Sequence, residues 1–183
     1  MILTAECREL DRNLRRRGAF VLAFFALMWA LAGASGLGRA VPAVAAGAVA
    51  VSAAVVVLAY RYGYAGDRQR ERRLPHGWGR SVGVVNIAQA AAIAAAVLLL
   101  VNTGSTLLLP PVVCLIVGLH FFPLARLYDQ RQYHWTGVLL TAVAAAGFGG
   151  ATWGAGTQAV LSAVGFAAAL VLWASAVHVA VRN

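Results

Sequence analysis

The stretch VGVVNIAQAAAIAAAVLLLV, Val82 to Val101, runs twenty residues without a formal charge between Arg80 and the turn residues Asn102-Thr-Gly-Ser105. At about 1.5 Å of rise per residue it makes a helix about 30 Å long, the thickness of a hydrocarbon core. The stretch is therefore a membrane span. The same ruler finds five more, and the full set is approximately 18–37, 41–60, 82–101, 107–125, 135–151 and 157–180. Composition agrees: 61% of residues are hydrophobic and only 11% are charged, against roughly 25% charged in an ordinary soluble domain. The expected fold is an all-α polytopic membrane bundle of six transmembrane helices, occupying residues 18–183. Residues 1–17 form a cytoplasmic arm ahead of it. No remaining polar stretch is long enough to bury a core of its own.

In the arm, Leu3, Cys7, Leu10 and Leu14 recur at helical spacing, with Glu6, Glu9, Asp11, Arg12 and Arg15 between them. This is an amphipathic N-terminal helix, which either lies on the membrane surface or extends span one. Arginine and lysine are retained on the cytoplasmic side of short loops. A cytoplasmic N-terminus puts Arg8, Arg12, Arg15, Arg16, Arg17, the Arg61–Arg80 loop, Arg126, Arg131 and Arg182 inside, leaving Arg39 outside. Six spans then return the C-terminus to the cytoplasm.

The net charge of +9 is carried by these flanking clusters. They set topology and attract anionic lipid headgroups at about 1 kcal/mol per residue, so the bilayer is the expected partner and nucleic acid is not. No lysine is present, which excludes Schiff-base chemistry. Cys7 and Cys114 lie at different depths and form no metal-binding pair. His76, His120, His134 and His178 have no metal-ligand spacing, so no metal and no cofactor is expected.

Helices in lipid associate through small residues that allow close approach. Candidate ridges are Ala46, Ala50 and Ala54 in span two, Ala88, Ala92 and Ala96 in span three, and Ala142, Ala146 and Gly150 in span five.

Polar side chains inside the spans are few. Asn86 and Gln89, three residues apart, share a face of span three. His120 lies in span four, His178 near the inner end of span six, and Thr141 in span five. Asn86 is about 9 Å below Arg80 and His120 about 9 Å from Arg126, at 1.5 Å per residue. One cytoplasm-leaning cluster of Asn86, Gln89, His120 and His178 is geometrically possible, with Tyr128 and Asp129 at the headgroup boundary. Pro123 removes a backbone bond to Leu119 and kinks span four beside His120. Pro110 and Pro111, at the other end of that span, either mark an interrupted transporter helix or open the helix in the ordinary way. An unpartnered polar group in hydrocarbon costs several kcal/mol, so the cluster is either a self-satisfied hydrogen-bond network or a binding pocket.

The segment Gly118-Leu-His120-Phe-Phe-Pro123-Leu-Ala-Arg-Leu-Tyr128, with Asn86-x-x-Gln89 before it and a Leu-x-x-Glu-x-Arg-Glu-Leu arm running into span one, resembles a family of small bacterial multi-pass membrane proteins of unknown function. The resemblance implies a bacterial plasma membrane location and no assigned activity.

Three functions fit. The first is binding or passive transport of a small amphipathic molecule in a cytoplasm-leaning pocket, with His120, Asn86 and Gln89 as ligands. No intramembrane carboxylate is present to couple transport to an ion. The second is an accessory or scaffold protein acting through its basic loops. The third, a lipid- or isoprenoid-modifying enzyme with His120 as base, lacks paired carboxylates, a nucleophile–base pair or a zinc triad, so catalysis is the weakest reading.

Overall fold

The computed structural model describes the backbone of residues 2–62 and 77–181 and the side chains of residues 13–61 and 77–181. The side-chain pattern of the arm up to Arg12, the basic loop between 62 and 76 with His76, and Arg182 lie outside the described residues. Six helices follow in order: α1 (Ile2–Ala34), α2 (Val41–Tyr62), α3 (Trp78–Asn102), α4 (Leu109–Leu127), α5 (Arg131–Thr152) and α6 (Thr157–Val181). All six are long and apolar enough to cross a membrane. The arm and span one form one unbroken helix of 33 residues. At about 1.5 Å per residue that is some 50 Å, longer than the roughly 30 Å core, so the first turns extend span one beyond the membrane.

Helix ends follow local chemistry. Gly104 and Gly154 adopt left-handed φ values of 70° and 84°, and the residues after them close back onto the helix: Ser105 N donates to Leu100 O at 2.8 Å and Ala155 N to Gly150 O at 3.0 Å. These are Schellman ends, in which the left-handed position favours glycine. α4 ends in the same way, with Gln130 N donating to Ala125 O at 3.0 Å and Asp129, φ 47°, where the other two helices have glycine. Pro110 and Pro111 occupy the first positions of α4 and are buried, so they open a helix rather than interrupt one. The helix stays continuous through Pro123.

The core is built around α6. Its buried stripe Val160, Val164, Ala168, Leu172, Ala176 and Val179 meets Leu22, Ala23 and Ala26 of α1, Val55 of α2, Cys114 and Phe121 of α4, and Leu140 and Ala144 of α5. The tightest crossing is α1 on α6, where a Cβ on Gly165 would stand 2.7 Å from Gly33 Cα and 2.8 Å from the Trp29 carbonyl. Ser162 Oγ donates to Gly33 O at 2.7 Å across the same crossing. α4 meets α5 in the same manner, Gly118 facing Gly137 and Thr141.

The ridges that pack are not those the alanine spacing suggested. Ala46, Ala50, Ala54, Ala88, Ala92, Ala142 and Ala146 all face outward, while α2 packs through Ala48, Ser52, Val55 and Ala59. Alanine is so frequent that several faces satisfy the same spacing, and the choice falls to the neighbours. Outward-facing tryptophans mark the bilayer. Trp135 of α5 and Trp153, the residue that caps its C-terminus, are 68% and 90% exposed and stand eighteen positions, about five turns, apart. That places them about 27 Å apart, one at each interface, where indoles anchor spans.

Candidate site between α3 and α4

α3 contributes no buried residue and packs on α4 and the turn before it. Its half-buried positions are Trp78, Val82, Gly83, Val85, Gln89, Ile93, Ala96 and Leu100; apart from Gly83 beside Val82 they recur at intervals of three and four, the narrow seam expected of one helix lying on another. Two contacts fix the register. Trp78 Nε1 donates to Leu127 O at 2.9 Å, and His120 lies against the Val85 backbone. Each is seven residues from the other on both helices, so α3 and α4 run antiparallel and in step.

Trp78 closes the basic end of the seam. Its ring meets Tyr128 edge-on with centroids 5.1 Å apart, and Tyr128 meets Tyr133 at 5.7 Å. Burial raises the Tyr128 phenol above its usual pKa, so it is a neutral hydrogen-bonding group at physiological pH.

Above this aromatic base the helices part to leave an open groove of about 590 Å³. Its walls are apolar: Val84 and Val85 from α3, Phe122, Pro123 and Leu127 from α4. Its polar residues are Arg80, Ser81 and Arg126, from the first turn of α3 and the last turn of α4, so charge is confined to the end where both helices meet the basic surface. The groove is thus apolar along most of its lining and charged at one end.

The sequence-nominated residues divide. His120 and Gln89 stand on the seam. His120 Nδ1 is buried without a hydrogen-bond partner, and its ring neighbours Val85, a groove residue. The register puts Gln89 level with Ile116, about one turn (5.4 Å) further in. Asn86 is exposed: at 100° per residue it points well to the side of Val85, off the seam. Among the described residues no hydrogen bond joins His120 to either amide. The self-satisfied network is therefore not formed.

The remaining candidates lie elsewhere. Thr141 donates to Gly137 O within its own helix at 2.8 Å and packs against Gly118. Asp129 is exposed in the turn that ends α4. His178 is exposed near the end of α6, which packs on α1, α2, α4 and α5. Pro123 joins the groove as a wall residue. Among the described residues no three His, Cys, Asp or Glu side chains come together in a way that could hold a metal.

Arg80, Ser81 and Phe122 went unnoticed as site residues because the arginines read as topology signals. Yet the equal distances of Asn86 from Arg80 and of His120 from Arg126 already implied that the two arginines lie at one depth.

A model for a family of unknown function, DUF7010, matches residues 79–182, taking in α3 to α6 and so the whole groove. No curated protein and no solved structure matches the chain. The protein, an integral membrane protein of six apolar helices, belongs to that family of unknown function.

Proposed function

We propose that this is a multi-pass protein of a bacterial plasma membrane, with both termini cytoplasmic, that binds a small amphipathic molecule between α3 and α4 and passes it on without ion coupling. The observation that carries this reading is the groove itself, apolar along its length and charged at one end. Small-molecule sites are concave, mostly apolar and oriented by a few polar groups. His120 and Gln89 lie further along the seam, beyond the residues that line the groove, and would supply hydrogen-bonding groups to a ligand that reaches past Val85, where His120 Nδ1 has no protein partner. α3 lies on α4 without being buried by any other helix, so a ligand enters sideways from the bilayer without unpacking the core.

The test is thermal unfolding of the detergent-purified protein, followed by tryptophan fluorescence, with dodecanoylglycerol and dodecanoate as probes. A saturable rise in Tm is expected in wild type and its loss in Val85→Trp, which fills the groove. No shift with either probe would favour an accessory protein acting through its basic loops. Chemical conversion of the probe would favour an enzyme.

A further inference from the structure

We infer that the α3–α4 groove selects a phosphate-bearing lipid, its headgroup held by Arg80 and Arg126 and its acyl chain lying along Val85, Phe122 and Pro123. This rests on the amphiphile reading above and adds the chemical class of the ligand.

The two arginines come from different helices, and the antiparallel register brings them to the same end of one groove. Among the described residues neither takes part in an ion pair or a side-chain hydrogen bond, unlike Arg16, which is stacked on the Tyr60 ring at 5.0 Å and donates to its carbonyl. Asp129 is the one acid among the described side chains and is not a groove residue. Among the described residues no carboxylate stands between these two guanidinium groups, which leaves them open to an anion at the mouth of the cleft. Guanidinium forks match phosphate oxygens in bidentate geometry, where an ammonium would act only as a point charge.

Two further features point the same way. Ser81 offers a hydroxyl beside Arg80, and its backbone N–H is satisfied by Gly77 O at 3.1 Å, which leaves the amides before it at the positive end of the α3 dipole. Gly77 brings no capping side chain. Below this end the groove turns wholly apolar within one helical turn, at Val84 and Val85, so a free inorganic anion would use only its mouth. A lipid phosphate meets both halves, and the bilayer supplies it laterally.

The experiment titrates the full-length protein in neutral detergent with dioctanoyl phosphatidylglycerol, dioctanoyl phosphatidylcholine and inorganic phosphate, reading Tm and the change in tryptophan fluorescence. Phosphatidylglycerol is expected to half-saturate at a concentration at least tenfold below phosphatidylcholine in wild type. In R80Q/R126Q that preference should vanish, while R61Q/R131Q, which removes the same charge from exposed sites elsewhere, should keep it. Equal half-saturation by the two lipids in wild type would overturn the inference, as would equal loss of preference in the two double variants. A saturable response to inorganic phosphate as strong as that to phosphatidylglycerol, lost in R80Q/R126Q, would reassign the site to a free anion. If both lipids bind equally yet Val85→Trp abolishes both responses, the amphiphile groove stands and only its anionic selectivity fails. If Val85→Trp changes neither, the groove reading itself fails.

Discussion

Helices α3 and α6 have nearly the same length and apolar character, yet 44% of the α6 window is buried in the protein and none of the α3 window is. In water such a difference would follow hydrophobicity. In a bilayer apolar surface gains nothing by leaving lipid, and close packing decides. α6 has Gly165 where it crosses α1, close enough for backbone to meet backbone. Along α3, Gly79 and Gly83 have nothing within 4 Å of where a Cβ would stand. α3 is pinned at its base by Trp78 and lies loosely along α4 beyond it. The well-packed half of the molecule holds the fold together, and the loosely packed seam is where we propose that a ligand fits.

That contrast can be broken most severely at the glycines. Gly165→Leu would drive side-chain atoms into the Gly33 and Trp29 backbone and should cost 3 kcal/mol or more, at the top of the range for overpacking (roughly 1–3 kcal/mol). Gly83→Leu should stay within about 0.5 kcal/mol, as for a surface change. Reversible unfolding in mixed micelles compares the two, and equal losses would erase the distinction between scaffold and seam. Next in size is Ser52→Ala. Ser52 Oγ donates to Ala23 O at 3.3 Å and accepts from Trp173 Nε1 at 2.9 Å, tying α1, α2 and α6 together. Its loss orphans a partly buried indole N–H, for about 1–2 kcal/mol of global stability.

Trp78→Phe keeps the ring against Tyr128 but removes the bond to Leu127 O, worth about 1 kcal/mol. The loss should appear as faster amide exchange in the first turns of α3, with α6 unchanged; uniform acceleration would mean that α3 is part of the core. Smallest of all, Asn86→Leu should shift stability by no more than about 0.5 kcal/mol, because an outward-facing amide meets the same detergent or lipid before and after the helices separate, so its cost falls on insertion rather than on packing. A loss of 1 kcal/mol or more in the same assay would show that Asn86 has a partner after all.

The six spans were legible because charge clusters and apolar runs of bilayer length leave few alternatives. Each helix lies close to its expected limits, and α3 gains Trp78 to Ser81 because an interfacial turn need not be apolar. The faces were not legible. Asn86 and Gln89 share a helix side by spacing, yet the seam is narrow enough to take one and leave the other, and only the position of α4 fixes which. His120 is expected from the sequence to meet the amides of span three, but its neighbour across the seam is the Val85 backbone, which carries no sequence signal. The arm's helix was expected and its continuity with α1 was one of two readings. Asp129 drew attention as a charge, whereas its position in the chain is the left-handed turn that glycine fills at the ends of α3 and α5.

The most direct measurement is photolabelling of the membrane-embedded protein with a diazirine placed mid-chain in a phosphatidylglycerol analogue, with adducts mapped by mass spectrometry. The expected result is labelling of Val84, Val85 and Phe122 that excess unlabelled phosphatidylglycerol removes, over a background on α2 and α5 that it does not. Adducts spread evenly over every lipid-facing helix and indifferent to competitor would contradict a binding groove between α3 and α4.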